Sequence, residues 1–125
     1  MSDSLFGDIV SSYSRAEAIA DGVLVDLSAI ARQTPLRFPV AITNSAHESA
    51  CVPTSATDLQ IAQRAVIHSM LLAIAHPGSR QTDQIRFAVS VLAPDDTRRE
   101  VSLTARIGPG DDPSPVITIM LDGED

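Results

Sequence analysis

The chain has 125 residues with no lysine and no tryptophan, so all nine of its basic side chains are arginines. Without lysine there can be no Walker A loop, whose lysine binds phosphate, and no Schiff-base or pyridoxal-phosphate chemistry. Cys51 is the single cysteine, which excludes an internal disulfide framework. Only four side chains are aromatic, so the core must consist mainly of Ile, Val, Leu and Ala.

Long apolar segments are also missing. The N-terminus has no basic and apolar blocks of the kind found in a signal peptide. No apolar run reaches the roughly 18–20 residues that a transmembrane helix needs. We therefore expect a cytoplasmic protein that does not enter a membrane.

The charge balance is strongly acidic, with 16 Asp and Glu against nine Arg, a formal net charge of −7 and a pI near 4.7. Direct binding to nucleic acid or to an anionic membrane requires positive charge at the contact, so we expect neither. The same charge suits a basic protein surface, including one that normally holds nucleic acid. The 44% apolar content is enough for a packed core.

The size fits a single domain over residues 1–125. We divide it into a helix-rich part (1–76), an antiparallel β-meander (85–121) and a short acidic tail (122–125). The break between the first two parts is His-Pro-Gly at 76–78, because proline and glycine together end a helix.

Three helical signals precede this break. Ser14 and Glu17 form a capping box at the start of a short helix, and Gly22 suits the residue after its end. The segment 23–26 is a candidate strand, and residues 39–51 fit either a helix or a strand, of which we favour the helix. The strongest prediction is a helix over 57–75, capped by Ser55 or Thr57. Its second half is apolar nearly all round, so it lies between two layers or forms a homodimer contact.

Alternating apolar and polar residues predict three strands, at 85–92, 100–107 and 116–121. Turns rich in proline, glycine and aspartate separate them. We therefore predict an α+β fold in which helices pack on one face of a small three- or four-stranded antiparallel sheet.

The sequence offers little evidence for catalysis. His47 and Cys51 are four residues apart, so on a helix they would share a face, and an imidazole beside a thiol can generate a nucleophilic thiolate. An inert, buried cysteine is the commoner role for a lone thiol in an apolar neighbourhood. His47, His68 and His76 lack the close spacing of a zinc site. We therefore predict no catalytic residues, no cofactor and no metal, and we keep a small His47/Cys51 enzyme as an alternative.

Acidic residues are concentrated in the turns and the tail of the meander. If the meander forms, Asp111 and Asp112 gather at one end of the sheet, and the other acids, including Asp95 and Asp122, gather at the opposite end. If they form a patch, it would attract a basic partner, although acidic turns are also common as ordinary surface charge. The candidate partner-binding residues are Asp95, Asp96, Asp111, Asp112, Asp122, Glu124 and Asp125.

Two ends of the chain carry a more specific pattern. Residues 6–26 read FGDIVSSYSRAEAIADGVLVD, followed by RFPVA at 37–41, GPGD at 108–111 and PVITIML at 115–121. These segments resemble an uncharacterised family of small bacterial, plasmid and phage proteins whose opening is F-G-x-x-I-x-x-Y-[ST]-R-A-x-A-I-x-D-G-x-L-V-D. The chain departs from that family between residues 44 and 84, where the family's tryptophans are absent.

The resemblance implies a mobile-element setting but no catalytic residues. We therefore expect a non-enzymatic acidic interaction protein, such as an anti-CRISPR-like inhibitor of host defence, that binds a basic nucleic-acid-handling surface. The alternatives are the His47/Cys51 enzyme or metal-dependent protein and a scaffold that self-associates through the 57–75 helix. Within the opening segment, Tyr13 and Ala18 would form a hydrophobic staple, while Arg15 and Asp21 would be exposed.

Overall fold

The computed structural model describes residues 13–53, 58–76, 80–81, 83–93, 95 and 97–124, which form an α+β fold. Four helices and six strands lie within these ranges. The helices are α1 (Arg15–Ala20), α2 (Ser28–Ala31), α3 (Asn44–Ala50) and α4 (Leu59–Ala75). The strands are β1 (Leu24–Asp26), β2 (Val40–Thr43), β3 (Arg80–Gln81), β4 (Gln84–Leu92), β5 (Arg98–Pro109) and β6 (Pro115–Leu121).

The six strands form one mixed sheet in the order β1-β2-β6-β5-β4-β3. Strands β4, β5 and β6 make the predicted antiparallel meander. The prediction of a purely antiparallel sheet of three or four strands was wrong, because β2 pairs in parallel with β6, with Ala41 opposite Thr118. This pair joins segments more than 70 residues apart in the sequence, so no local pattern predicts it.

Residues 39–51 contain both of the structures that the sequence left open. Our preference for one helix was wrong for the first half, since Val40 to Ile42 are fully buried in a strand. The helix begins only at Asn44, where the Thr43 hydroxyl accepts a hydrogen bond from the Ala46 N–H at 3.2 Å. A buried strand followed directly by a capped helix imitates one long helix with proline at its first position.

The hydrophobic core lies between helix α4 and one face of the sheet. Alternate residues of β4 and β5 point to this face, as the buried Phe87, Val89 and Leu103 show. Helix α4 contributes Val66, Met70 and other buried side chains to the same cluster.

The N-cap of α4 is Asp58, whose side chain accepts from the Ile61 N–H. The predicted caps Ser55 and Thr57 lie outside the described residues. In the described part of the chain, no helix has the length and apolarity to cross a bilayer.

Helix α1 contacts the opposite face of the sheet. Arg15 donates from its guanidinium to the Thr118 hydroxyl at 2.7 Å. Thr118 lies between Ile117 and Ile119, which belong to the core cluster, so strand alternation places its side chain on the other face. The expectation that all helices pack on one face therefore does not hold for α1. The predicted capping box is present at Ser14 and Glu17, and Gly22 has the predicted left-handed conformation (φ 81°).

Candidate interaction surface

The predicted acidic residues begin with Asp111, which binds helix α1. Its Oδ1 accepts from the Arg15 N–H at 2.6 Å, and its Oδ2 accepts from the Ala16 N–H at 3.2 Å. The first N–H groups of a helix have no partner within the helix, and the helix dipole favours a negative charge beside them. Asp111 thus joins the β5–β6 turn to α1, and both of its oxygens are occupied.

Arg15 forms further hydrogen bonds between helix α1 and the sheet. Besides Thr118, its guanidinium donates to the Ile117 backbone oxygen at 2.7 Å. Burial of the half-buried side chain lowers the pKa of Arg15, and the charge of Asp111 opposes this shift. The sequence predicted an exposed Arg15 that could reach a partner, but the structure gives it a structural role within the chain.

Asp112 lies in the same turn but has a different environment. Its Oδ1 accepts from the Ser114 N–H at 2.8 Å, a local bond that is typical of aspartate in turns. The side chain is exposed, and no described residue donates to its Oδ2. Asp112 therefore keeps a negative charge at the surface with one oxygen available.

Asp122 and Glu124 follow β6 and are each held by a hydroxyl group of the sheet. Asp122 Oδ1 accepts from the Thr104 hydroxyl at 3.1 Å and forms an ion pair with Arg86 Nε at 3.5 Å. Glu124 Oε1 accepts from the Thr43 hydroxyl at 2.8 Å and from the Leu121 N–H at 3.0 Å. In both residues the second carboxylate oxygen has no partner among the described residues.

Asp95 lies in the β4–β5 turn, where its Oδ1 accepts from the Thr97 hydroxyl at 2.6 Å and from the Thr97 N–H at 3.1 Å. These two hydrogen bonds lower the pKa of Asp95. The side chain is exposed, and its Oδ2 is also without a described partner. Asp96 and Asp125, which were predicted to belong to the same patch, lie outside the described residues.

The structure separates the described acids into three places. Asp111 and Asp112 lie at the β5–β6 turn, and Asp95 lies at the far end of β5. Asp122 does not reach that end, because its N–H donates to the Ser102 backbone oxygen, four residues into β5 from Arg98. Four residues of strand span about 14 Å. The tail acids and Asp95 therefore share one half of the sheet without forming one compact cluster.

The sequence analysis did not predict the side chains that bind these acidic residues. Thr104 is buried and occupies one of the polar positions of alternating strand β5. Thr43 was part of the ambiguous 39–51 segment. A threonine at a polar position of a strand or at a strand end is a weak signal by itself, because threonine is common in strands for steric reasons.

Among the described residues, the His47 ring contacts Gln63 and has no hydrogen bond to the Cys51 thiol. Cys51 is buried, and burial raises the pKa of its thiol to about 11, so the reactive thiolate is scarce at neutral pH. His47 Nε2 lies 3.1 Å from Gln63 Nε2, a contact that satisfies a buried side chain of α4. Burial also lowers the pKa of His47. Cys51 thus fits the inert, buried role that the sequence offered as the commoner one for a lone thiol.

Tyr13 and Asp21 of the opening segment are hydrogen-bonded to each other. Tyr13 is half exposed and donates from its hydroxyl to Asp21 Oδ2 at 3.0 Å, while its predicted staple partner Ala18 is buried. Among the described residues there is no group of three or more His, Cys, Asp or Glu side chains placed to hold a metal ion.

Comparison with known proteins confirms the expected uncharacterised family. No curated protein and no solved structure matches this chain. The model of DUF6573, a family of unknown function, matches residues 4–125, and the chain belongs to this family.

Proposed function

We propose that this protein is a non-enzymatic interaction protein that binds a basic protein surface through Asp95, Asp112, Asp122 and Glu124. In its narrower form the proposal is an inhibitor of host defence carried by a mobile element, which occupies a nucleic-acid-handling surface in the manner of an anti-CRISPR protein. The resemblance of residues 6–26 to bacterial, plasmid and phage proteins is the support for this narrower form.

The observation that carries the proposal is the way these four carboxylates are held. Each directs all of its hydrogen bonds through one oxygen, and no described residue donates to the other. A side chain that is already fixed loses less conformational freedom on binding than a freely rotating one. The free oxygens can therefore accept hydrogen bonds from a partner's arginines at a reduced entropic cost.

Asp111 does not belong to this set, although the sequence placed it there. Both of its oxygens bind amides of α1, so a partner could engage it only by breaking the joint with the helix. The surface that we propose is consequently smaller than the acidic residues of the sequence suggest. Asp122 and Glu124 are its centre because they are two residues apart at the end of β6.

The test begins with capture of partners from the host extract on immobilised protein at low salt, followed by mass spectrometry. We expect basic proteins, and we expect their release to rise steeply as salt increases from about 0.05 to 0.5 M, because screening shortens the reach of surface charges. The double variant Asp122→Asn with Glu124→Gln should capture clearly less of the same proteins.

The charge-matched control combines Asp58→Asn with Glu17→Gln. These two changes also remove two negative charges, from residues outside the proposed set of four, and asparagine and glutamine can keep the two helix caps. The control should capture partners as the wild-type protein does. Capture that is unaffected by salt, or that is lost equally in the control, would refute an electrostatic interface at β6.

A further inference from the structure

Among the described residues, the outer edge of β4 is unpaired over most of its length. The only described strand beyond β4 is β3, whose two residues pair with Gln84 and Ile85. From Arg86 to Leu92, no described residue pairs with this edge. The opposite edge strand, β1, is only three residues long. An unpaired strand of this length is a template for another strand.

The hydrogen-bond pattern shows which residues face the open edge. The Ile107 N–H donates to the Asp83 backbone oxygen at 2.8 Å, and the Ala93 N–H donates to the Thr97 backbone oxygen at 2.7 Å. Bonded and non-bonded pairs alternate along an antiparallel ladder, so odd-numbered residues of β4 direct their N–H and C=O groups to β5. The even-numbered residues direct theirs outward. The outward residues beyond β3 are Arg86, Ala88, Ser90 and Leu92.

This edge lacks the features by which natural sheets prevent an edge strand from pairing with another chain. Between residues 86 and 92 there is no proline and no lysine, and the only charged side chain is Arg86, which pairs with Asp122. The two central outward residues, Ala88 and Ser90, have small side chains. A short edge, a bulge or an inward-pointing charge would prevent pairing with another chain, and none is present in this stretch.

We propose that two copies of this chain associate through antiparallel pairing of their β4 strands, with Val89 on the two-fold axis. In this register Arg86 lies opposite the partner's Leu92, and Ala88 lies opposite the partner's Ser90. A shift of one residue would set outward groups against inward groups and lose the hydrogen bonds. Pairing about Val89 uses the entire free stretch 86–92.

The side chains agree with self-pairing. No arginine lies opposite an arginine, because Arg86 meets the partner's Leu92. On the core face, Val89 meets the partner's Val89 and Phe87 meets the partner's Val91, so the apolar face continues across the axis. Apolar β-branched and aromatic pairs of this kind stabilise neighbouring strands.

The dimer contact that we propose is the β4 edge, whereas the sequence suggested the helix over 57–75.

The first test measures mass and amide exchange of the full chain. At about 100 µM, well above the Kd of a stable dimer, light scattering should give twice the 13.2 kDa of one chain. Amide protons of Ala88 and Ser90 should exchange at least about tenfold more slowly than in a dilute, monomeric sample. A monomer at high concentration with rapidly exchanging Ala88 and Ser90 amides would overturn the proposal.

The variant Ala88→Pro removes an outward N–H and leaves the β5 ladder intact, since proline is tolerated where the N–H faces outward. It should raise the dimer Kd at least about tenfold. The matched control Ala88→Ser keeps the N–H and should dimerise as the wild-type protein does. Equal dimerisation of the proline and serine variants would overturn the proposal.

A cross-linking experiment tests the register even if the proline variant does not fold. One chain carries Ala88→Cys and a second carries Ser90→Cys, and the two are mixed and mildly oxidised. Bonded antiparallel pairs are about 5.5 Å apart at Cα, which suits a disulfide. The mixture should give a covalent dimer and each chain alone should not, because the native Cys51 is buried. Absence of the mixed dimer, or a chain that captures a different strand-forming peptide while remaining monomeric, would overturn the proposal.

Discussion

Replacement of Asp111 by alanine is expected to destabilise the protein by releasing helix α1 from the sheet. Asp111 accepts two amide hydrogen bonds in the first turn of α1, from Arg15 at 2.6 Å and Ala16 at 3.2 Å. The local capping box formed by Ser14 and Glu17 is unaffected. The helix therefore keeps its own cap and loses only its tether to the β5–β6 turn.

The magnitude follows from the number and exposure of these bonds. A hydrogen bond to a charged group stabilises a protein by about 1.5–3 kcal/mol when it is well shielded, and helix caps contribute about 0.5–2 kcal/mol. Asp111 is exposed, which places each of its two bonds at the low end of these ranges. We expect the free energy of unfolding to fall by about 2 kcal/mol.

The measurement is urea unfolding followed by far-ultraviolet circular dichroism, because the chain has no tryptophan for fluorescence. With a slope of about 2 kcal/mol per molar urea, the midpoint should fall by about 1 M. Asp112→Ala is the control, since it removes the same charge from the neighbouring residue but loses only one local bond to Ser114. We expect it to cost less than about 1 kcal/mol. Equal midpoints for the two variants would show that the tether to α1 does not stabilise the fold.

Two further predictions concern the turn and the core. Gly110→Ala should lower the unfolding free energy by about 1–2 kcal/mol, because an added Cβ would lie 2.9 Å from Val116 Cγ1, whereas Gly108→Ala has open space and should change it little in the same urea assay. Stability should also fall between pH 9 and about pH 11, because the folded state keeps the Cys51 thiol protonated after the unfolded chain has ionised. The wild-type protein should lose about 2 kcal/mol more than Cys51→Ala over this range, and equal losses in the two proteins would contradict this assignment.

The parts of the fold that the sequence predicted are those governed by neighbouring residues. The capping box at Ser14 depends on Glu17 three residues later, and the alternation in β5 depends on its own polar and apolar residues. The meander follows because short turns connect strands that pair with their sequence neighbours. In each case the physical cause lies within the element itself or in the next element along the chain, so a local pattern contains it.

The predictions that were wrong concern parts of the fold that depend on residues far away in the sequence. The strand β2 is a strand because Val40 to Ile42 are inserted beside β6, and nothing near residue 40 reveals this. The acidic candidates were grouped by the connectivity of the strands, but β5 extends past the end of β6 and separates Asp95 from Asp122. Strand lengths and register therefore decided the shape of the candidate surface, and the sequence constrains both only weakly.

The hydrogen bond between Arg15 and Asp111 gives a structural role to residues from both of the chain ends that resemble the family. Arg15 belongs to the opening segment 6–26, and Asp111, Ile117 and Thr118 belong to the closing segments 108–111 and 115–121. In the fold, Arg15 binds all three through its backbone or its guanidinium. A pattern at both ends of a chain could mark a shared binding site, but here these side chains are used to close the fold. The surfaces that we propose for binding therefore lie outside the motif, at the carboxylates near the ends of β6 and at the β4 edge that no described residue pairs with beyond Ile85.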